Sequence, residues 1–111
     1  MTESHSSARI VLTTASSPEE AARMGRALVE ERLAACATLI PGVQSIYRWK
    51  DAIETSHESL LLLKTDAGRL AALEARLHQL HSYQTPEFLV LGVDAGSRGY
   101  LDWLQACLRT D

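Results

Sequence analysis

The 111-residue sequence predicts an α+β domain: one antiparallel sheet, two helices on one of its faces and a further helix at the C-terminal end. Three observations carry this. Two stretches with apolar residues at helical spacing separate four extended runs, in the order strand–helix–strand–strand–helix–strand. The two middle runs are long and joined by a very short polar segment, as in a hairpin. Three runs, Ile10–Leu12, Leu60–Leu63 and Phe88–Leu91, are apolar at every position rather than at every second one.

The first strand is read at 8–14 (ARIVLTT), β-branched and apolar, ending in small polar residues. A helix start follows in SSPEE. Ser17 suits the N-cap, Pro18 the first helical position, and Glu20 the far end of a capping box. Ala21, Met24 and Leu28, with Val29 and Leu33 beside them, give the helix its apolar stripe. Arg23, Arg26, Glu30 and Glu31 form its wet side.

The stretch 33–49, LAACATLIPGVQSIYRW, leaves the helix at Leu33–Ala34 and runs extended over Cys36–Ile40 and again over Val43–Trp49, with a break at Pro41–Gly42. Proline removes a ladder donor and glycine accepts unusual φ, so the break reads as a bulge in an edge strand. Lys50–Asp51–Ala52 turns the chain back into a strand at 53–65, polar through Ser59 and apolar through Leu63. Asp66 can cap a helix at 67–80, on which Leu70, Leu73, Leu77 and Leu80 recur at helical spacing. A polar loop at 81–86 leads to the last strand, 87–94 (EFLVLGVD). Gly96 and Gly99 end it, and Tyr100, Leu101, Leu104 and Leu108 mark the final helix, ending near Arg109. The polar start, 1–7, is expected to be a flexible tail, and 8–111 a single domain.

This βαββαβ order with a C-terminal helix is that of the ferredoxin-like sandwich. A sheet covered on one face only should alternate apolar and polar residues. The wholly apolar runs therefore require a second cover, and no segment is left to supply it. The sequence predicts a homo-oligomer in which sheets pack together and the long hairpin reaches a neighbour.

Composition excludes several classes. Net charge is −3 without a block of like charge, so nucleic acid is not an expected partner. No apolar run approaches the roughly 20 residues of a membrane span. The start lacks the basic-then-apolar pattern of a secretory signal. Cys36 and Cys107 form no CxxC pair, which suits reduced thiols and a cytoplasmic location. There is no GxSxG, GxxxxGK[ST] or HExxH, so the chain is not expected to be an enzyme.

His81 is the foremost metal or anion candidate, where the second helix runs out beside Tyr83; the competing role is a helix C-terminal cap. His78, three residues earlier, could share a face with it. Cys36 most simply packs as a small residue near the start of the second strand, with soft-metal binding or redox activity as the alternative. No cofactor is required; copper or another divalent cation is what such residues could hold. Cys107 reads as structural. Tyr47 and Trp49, two apart, share a sheet face suited to a neighbour's hairpin, and Trp103 reads as a core or interface anchor.

LAACATLIPGVQSIYRW, LLLKT, HSYQTPEFLVLGV and YLDWL closely resemble the CutA family, the divalent-cation tolerance proteins, over Ile10 to Leu108. The resemblance implies a tight homotrimer built by edge pairing of the long hairpins, PII-like in architecture, with clefts between subunits. It implies that Trp49, Lys64, Tyr83 and Glu87 line such a cleft, where a small anionic ligand could be held or, as the alternative function, an enzyme could act through Lys64, Tyr83 and Glu87; a Lys64–Glu87 ion pair is the competing structural account. It also implies a role in tolerance of divalent cations such as copper, as a binding or signalling module. The Cys and two His of a copper site assigned in some members fall here on Thr13, Leu80 and His81, so one of three donors is kept.

Overall fold

A computed structural model of the chain describes residues 2–4 and 6–110. Its elements are β1 (Thr2–Ser4), β2 (Ala8–Ala15), α1 (Pro18–Glu30), β3 (Cys36–Trp49), β4 (Ala52–Asp66), α2 (Leu70–Leu80), β5 (Leu89–Gly92), β6 (Ala95–Ser97) and α3 (Arg98–Leu108). A four-stranded antiparallel sheet has the order β3-β4-β2-β5, and β1 pairs with β6 in a separate two-stranded ribbon. Of the segment expected as a tail, Met1 and His5 lie outside the described residues, and Thr2–Ser4 form β1.

The start of α1 follows its sequence. Ser17 is extended and its Oγ accepts from the Glu20 N–H at 3.1 Å, with Pro18 opening the helix. The helix buries Ala21, Met24 and Leu28 with Val11, Ala15, Leu61 and Leu63 of the sheet and Leu73 and Leu77 of α2. Gly25 allows the close approach: a Cβ there would stand 3.0 Å from the Ala37 Cβ. Asp66 accepts from the Arg69 N–H, but the turn that it caps, Ala67–Arg69, is 3₁₀, and α2 proper begins at Leu70.

The Pro41–Gly42 break is a bulge. Ile40 pairs with Leu60 and Val43 with Glu58, so β3 carries one residue more than β4, and Gly42 takes φ +71°. Beyond it, β3 and β4 continue as a two-stranded arm past Ala15, the last residue of β2 to pair with β4. Lys50 and Asp51, at the arm's tip, both have positive φ (50° and 65°), the signature of a type I′ turn.

The last strand is shorter than its sequence suggests. It was expected at 87–94, yet only Leu89–Gly92 pair, with Arg9–Leu12. The next acceptor on β2, the Thr14 carbonyl, is bonded to the His81 ring, which closes the ladder there. The final helix starts two residues earlier than Tyr100, at Arg98.

Alternation puts Ile10, Leu12, Leu60 and Leu62 on the sheet face away from α1 and α2, with Ile40, Leu89 and Leu91 alongside them. One end of that face is covered by α3, which buries Leu101, Leu104 and Leu108 with Ala8 and Ala35. Arg32 and Arg69 hold the far end of α3 by donating to the Cys107 and Leu108 carbonyls. The rest is open: Leu89 is 55% and Leu91 47% exposed.

Candidate functional site

Where the arm leaves the sheet, polar groups from four elements converge. At the α1 N-terminus, the Glu20 carboxylate accepts from the Ser16 N–H and Oγ, each at 2.8 Å, and from the Ser82 N–H at 2.9 Å. The capping box thus reaches one residue further back than Ser17 and also ties in the loop after α2. Burial alone would raise this carboxyl; the hydrogen bonds from Ser82 and then Ser16 outweigh it and bring the pKa to about 2.

His81 ends α2, its N–H donating to the Leu77 carbonyl. Its ring is 8% exposed and engaged at both nitrogens. The Tyr83 N–H, which can only donate, reaches Nδ1 at 3.0 Å. The ring proton therefore sits on Nε2 and is donated to the Thr14 carbonyl at 2.7 Å. The Tyr83 ring lies 4.6 Å from that imidazole, and its hydroxyl donates to Glu58 Oε2 at 2.8 Å. Burial first, then the bond to Glu58, pushes the Tyr83 phenol well above its ordinary pKa. Glu87 is raised as well, by burial and then by the Glu58 charge.

Tyr83 and Glu87 therefore share one neighbourhood, organised by Glu58. Lys64 and Trp49 stand elsewhere within the chain. Lys64 faces Cys36 across the ladder and donates to the Tyr100 hydroxyl at 3.2 Å, which raises its pKa above the usual lysine value. Trp49 is at the arm's tip, 58% exposed, with Lys50 over its ring at 6.0 Å. Lys64 is six residues from Glu58 along β4, roughly 20 Å at about 3.3 Å per residue. Ala52, opposite Trp49, is the same distance the other way. One protomer brings together two of the four residues expected in the cleft.

The metal candidates do not converge either. His78 is exposed on α2. Cys36 lies in a groove of about 440 Å³ beside the free edge of β3, with Gly25, Ala37, Leu39 and Trp103. Among the described residues, no group of three or more His, Cys, Asp or Glu side chains is placed to hold a metal ion. Thr13, Leu80 and His81 offer one imidazole, and both its nitrogens are already bonded to main chain. These donors do not fit copper.

The sequence does not single out Glu58, and it marks Glu20 and Tyr100 only as helix-forming positions, not as site residues. Glu58 sits in the polar half of a strand, and only the folded position of the loop after α2 puts Tyr83 against it.

The chain matches the family of the CutA1 divalent ion tolerance protein over residues 9–107. It is 46% identical over 96 residues to the divalent-cation tolerance protein CutA of Thermus thermophilus, spanning 86% of this chain and 93% of that one. Its fold is similar to that of CutA from Synechococcus elongatus PCC7942, with a TM-score of 0.94 and 39% identity over 98% of this chain and 96% of that one. It is also similar to that of the periplasmic divalent cation tolerance protein CutA from Archaeoglobus fulgidus, at a TM-score of 0.89 and 30% identity, covering 92% and 99%. With the family matched from Arg9 to Cys107, the chain belongs to the CutA1 divalent ion tolerance proteins.

Proposed function

We propose that this chain acts in divalent-cation tolerance as a cytoplasmic, non-enzymatic binding or signalling module. In this reading it is a ferredoxin-like protomer of a PII-like homotrimer whose ligand cleft is completed between subunits. The observation that carries the reading is the open apolar face around Leu89 and Leu91 together with the arm. A contiguous apolar face of this kind is ordinarily covered, and a two-stranded ribbon is marginal alone in water. Neighbouring copies supply both needs. They also offer a way to bring Lys64 and Trp49 of one copy to Tyr83 and Glu87 of another. Lys64 is the cation suited to a small anionic ligand. The free thiols Cys36 and Cys107 suit a reducing compartment, and among the described residues no helix is long and apolar enough to cross a membrane.

Light scattering tests the assembly: three times the 12.2 kDa chain mass is expected, and a single-chain mass sinks the reading. Leu91→Lys, at a position open in the single chain, should lower that mass while the far-UV circular dichroism stays native. For the ligand, anionic metabolites that raise the Tm of the wild type should lose that effect in Lys64→Ala. If every active anion keeps it, Lys64 is not the cation of the site. Direct copper ligation through His81 is set aside, since a metal would have to displace a main-chain hydrogen bond at either nitrogen.

A further inference from the structure

We propose that Thr13 and Ser59 hold a buried water molecule between β2 and β4. Both side chains are shut off from solvent, Thr13 at 0% and Ser59 at 1% exposure. Neither hydroxyl oxygen has a hydrogen-bond partner among the described residues. Buried polar atoms are almost always paired, so two orphans on adjacent strands point to a partner that they share.

The register makes sharing feasible. Thr13 stands opposite Leu61, and Ser59 opposite Ala15. The two are diagonal neighbours on one sheet face, the face beneath α1 and α2. Diagonal Cα atoms in an antiparallel pair lie about 7–8 Å apart, with the side chains somewhat closer. That is long for a direct hydroxyl–hydroxyl bond and suits a bridge of two bonds of about 2.8 Å each.

The surroundings select the ligand. The same-face neighbours along the two ladders are Val11, Ala15, Leu61 and Leu63, all apolar and buried. An ion would meet no countercharge from them, whereas a hydroxyl both donates and accepts, as water does. The bridge would fasten β2 to β4 next to the Thr14 carbonyl that His81 holds, at the root of the arm.

A crystal structure at a resolution that shows ordered solvent should reveal one peak within hydrogen-bond distance of both Thr13 Oγ1 and Ser59 Oγ. Thr13→Val and Ser59→Ala give a second readout whose sign decides. With a bridging water, each variant lowers the Tm, and the double variant falls no further than the worse single one. Water ¹⁷O relaxation dispersion also loses one long-lived water per chain. Overturning results are no peak, hydroxyls bonded to each other or to main chain, or variants that raise the Tm. The last is what removal of an unpaired buried hydroxyl would do.

Discussion

The Tyr83 hydroxyl donates to Glu58 across 2.8 Å, joining the loop after α2 to the first rungs of the arm. Burial first, and then the Glu58 charge, raises Glu87. Tyr83→Phe removes the donor and leaves a half-buried carboxylate short of a partner. It should cost about 2 kcal/mol in urea unfolding at pH 7, as for hydrogen bonds to charged groups. Glu87→Gln should act oppositely. A carboxyl whose folded pKa is raised weakens the fold above its unfolded value, so this variant should have the higher Tm at pH 7. The difference should vanish below about pH 4, where the carboxyl is protonated in both states. An unchanged gain at low pH would remove Glu58 as its cause.

Glu20 has the reverse sign. Its folded pKa of about 2 lies below the ordinary value of 4.5. Its contribution is therefore complete above pH 4.5 and is lost as pH falls towards 2. At 1.36 kcal/mol per unit it is on the order of 3 kcal/mol. Glu20→Gln should unfold at lower urea than wild type at pH 7, and the two curves should merge near pH 2. Parallel curves down to pH 2 would mean that the Ser16 and Ser82 bonds do not hold the charge.

His81→Ala strands the Thr14 carbonyl and the Tyr83 N–H and should cost about 2–4 kcal/mol. The same pair of proteins tests ligation. Isothermal titration with Cu(II) should give the same heats with and without the ring. Heat that disappears with the imidazole would make it a ligand and overturn the bonding described above.

At the arm's tip, Lys50 and Asp51 occupy left-handed φ that Asn-Gly adopts with less strain. The Lys50→Asn, Asp51→Gly variant gives up a cation–π contact worth about 0.5 kcal/mol at an exposed site. Relief of the turn is larger, so a net gain of about 1 kcal/mol should appear as a higher Tm. A fall would show that the tip is held by Trp49 and Lys50 rather than by its turn.

Elements that rest on local chemistry were legible in the sequence. Ser17, Pro18 and Glu20 announced α1, and Pro41–Gly42 announced the bulge. The apolar runs announced a second apolar face, which the chain covers only at one end, with α3. What escaped depends on contacts distant along the chain. The late start of β5 comes from a ring 67 residues away from Thr14. Glu58 meets Tyr83 through a contact 25 residues apart along the chain. Lys64 answers to Tyr100, on a helix 36 positions later.

Beyond Ala15, among the described residues, β3 and β4 pair as strands only with each other, so amides there that point away from the partner strand depend on solvent or another chain. Hydrogen exchange along Val43–Trp49 should therefore serve as a gauge of association. Protection should rise with protein concentration in the arm while amides of α1 stay constant, which separates the folding of the body from the ordering of its extension.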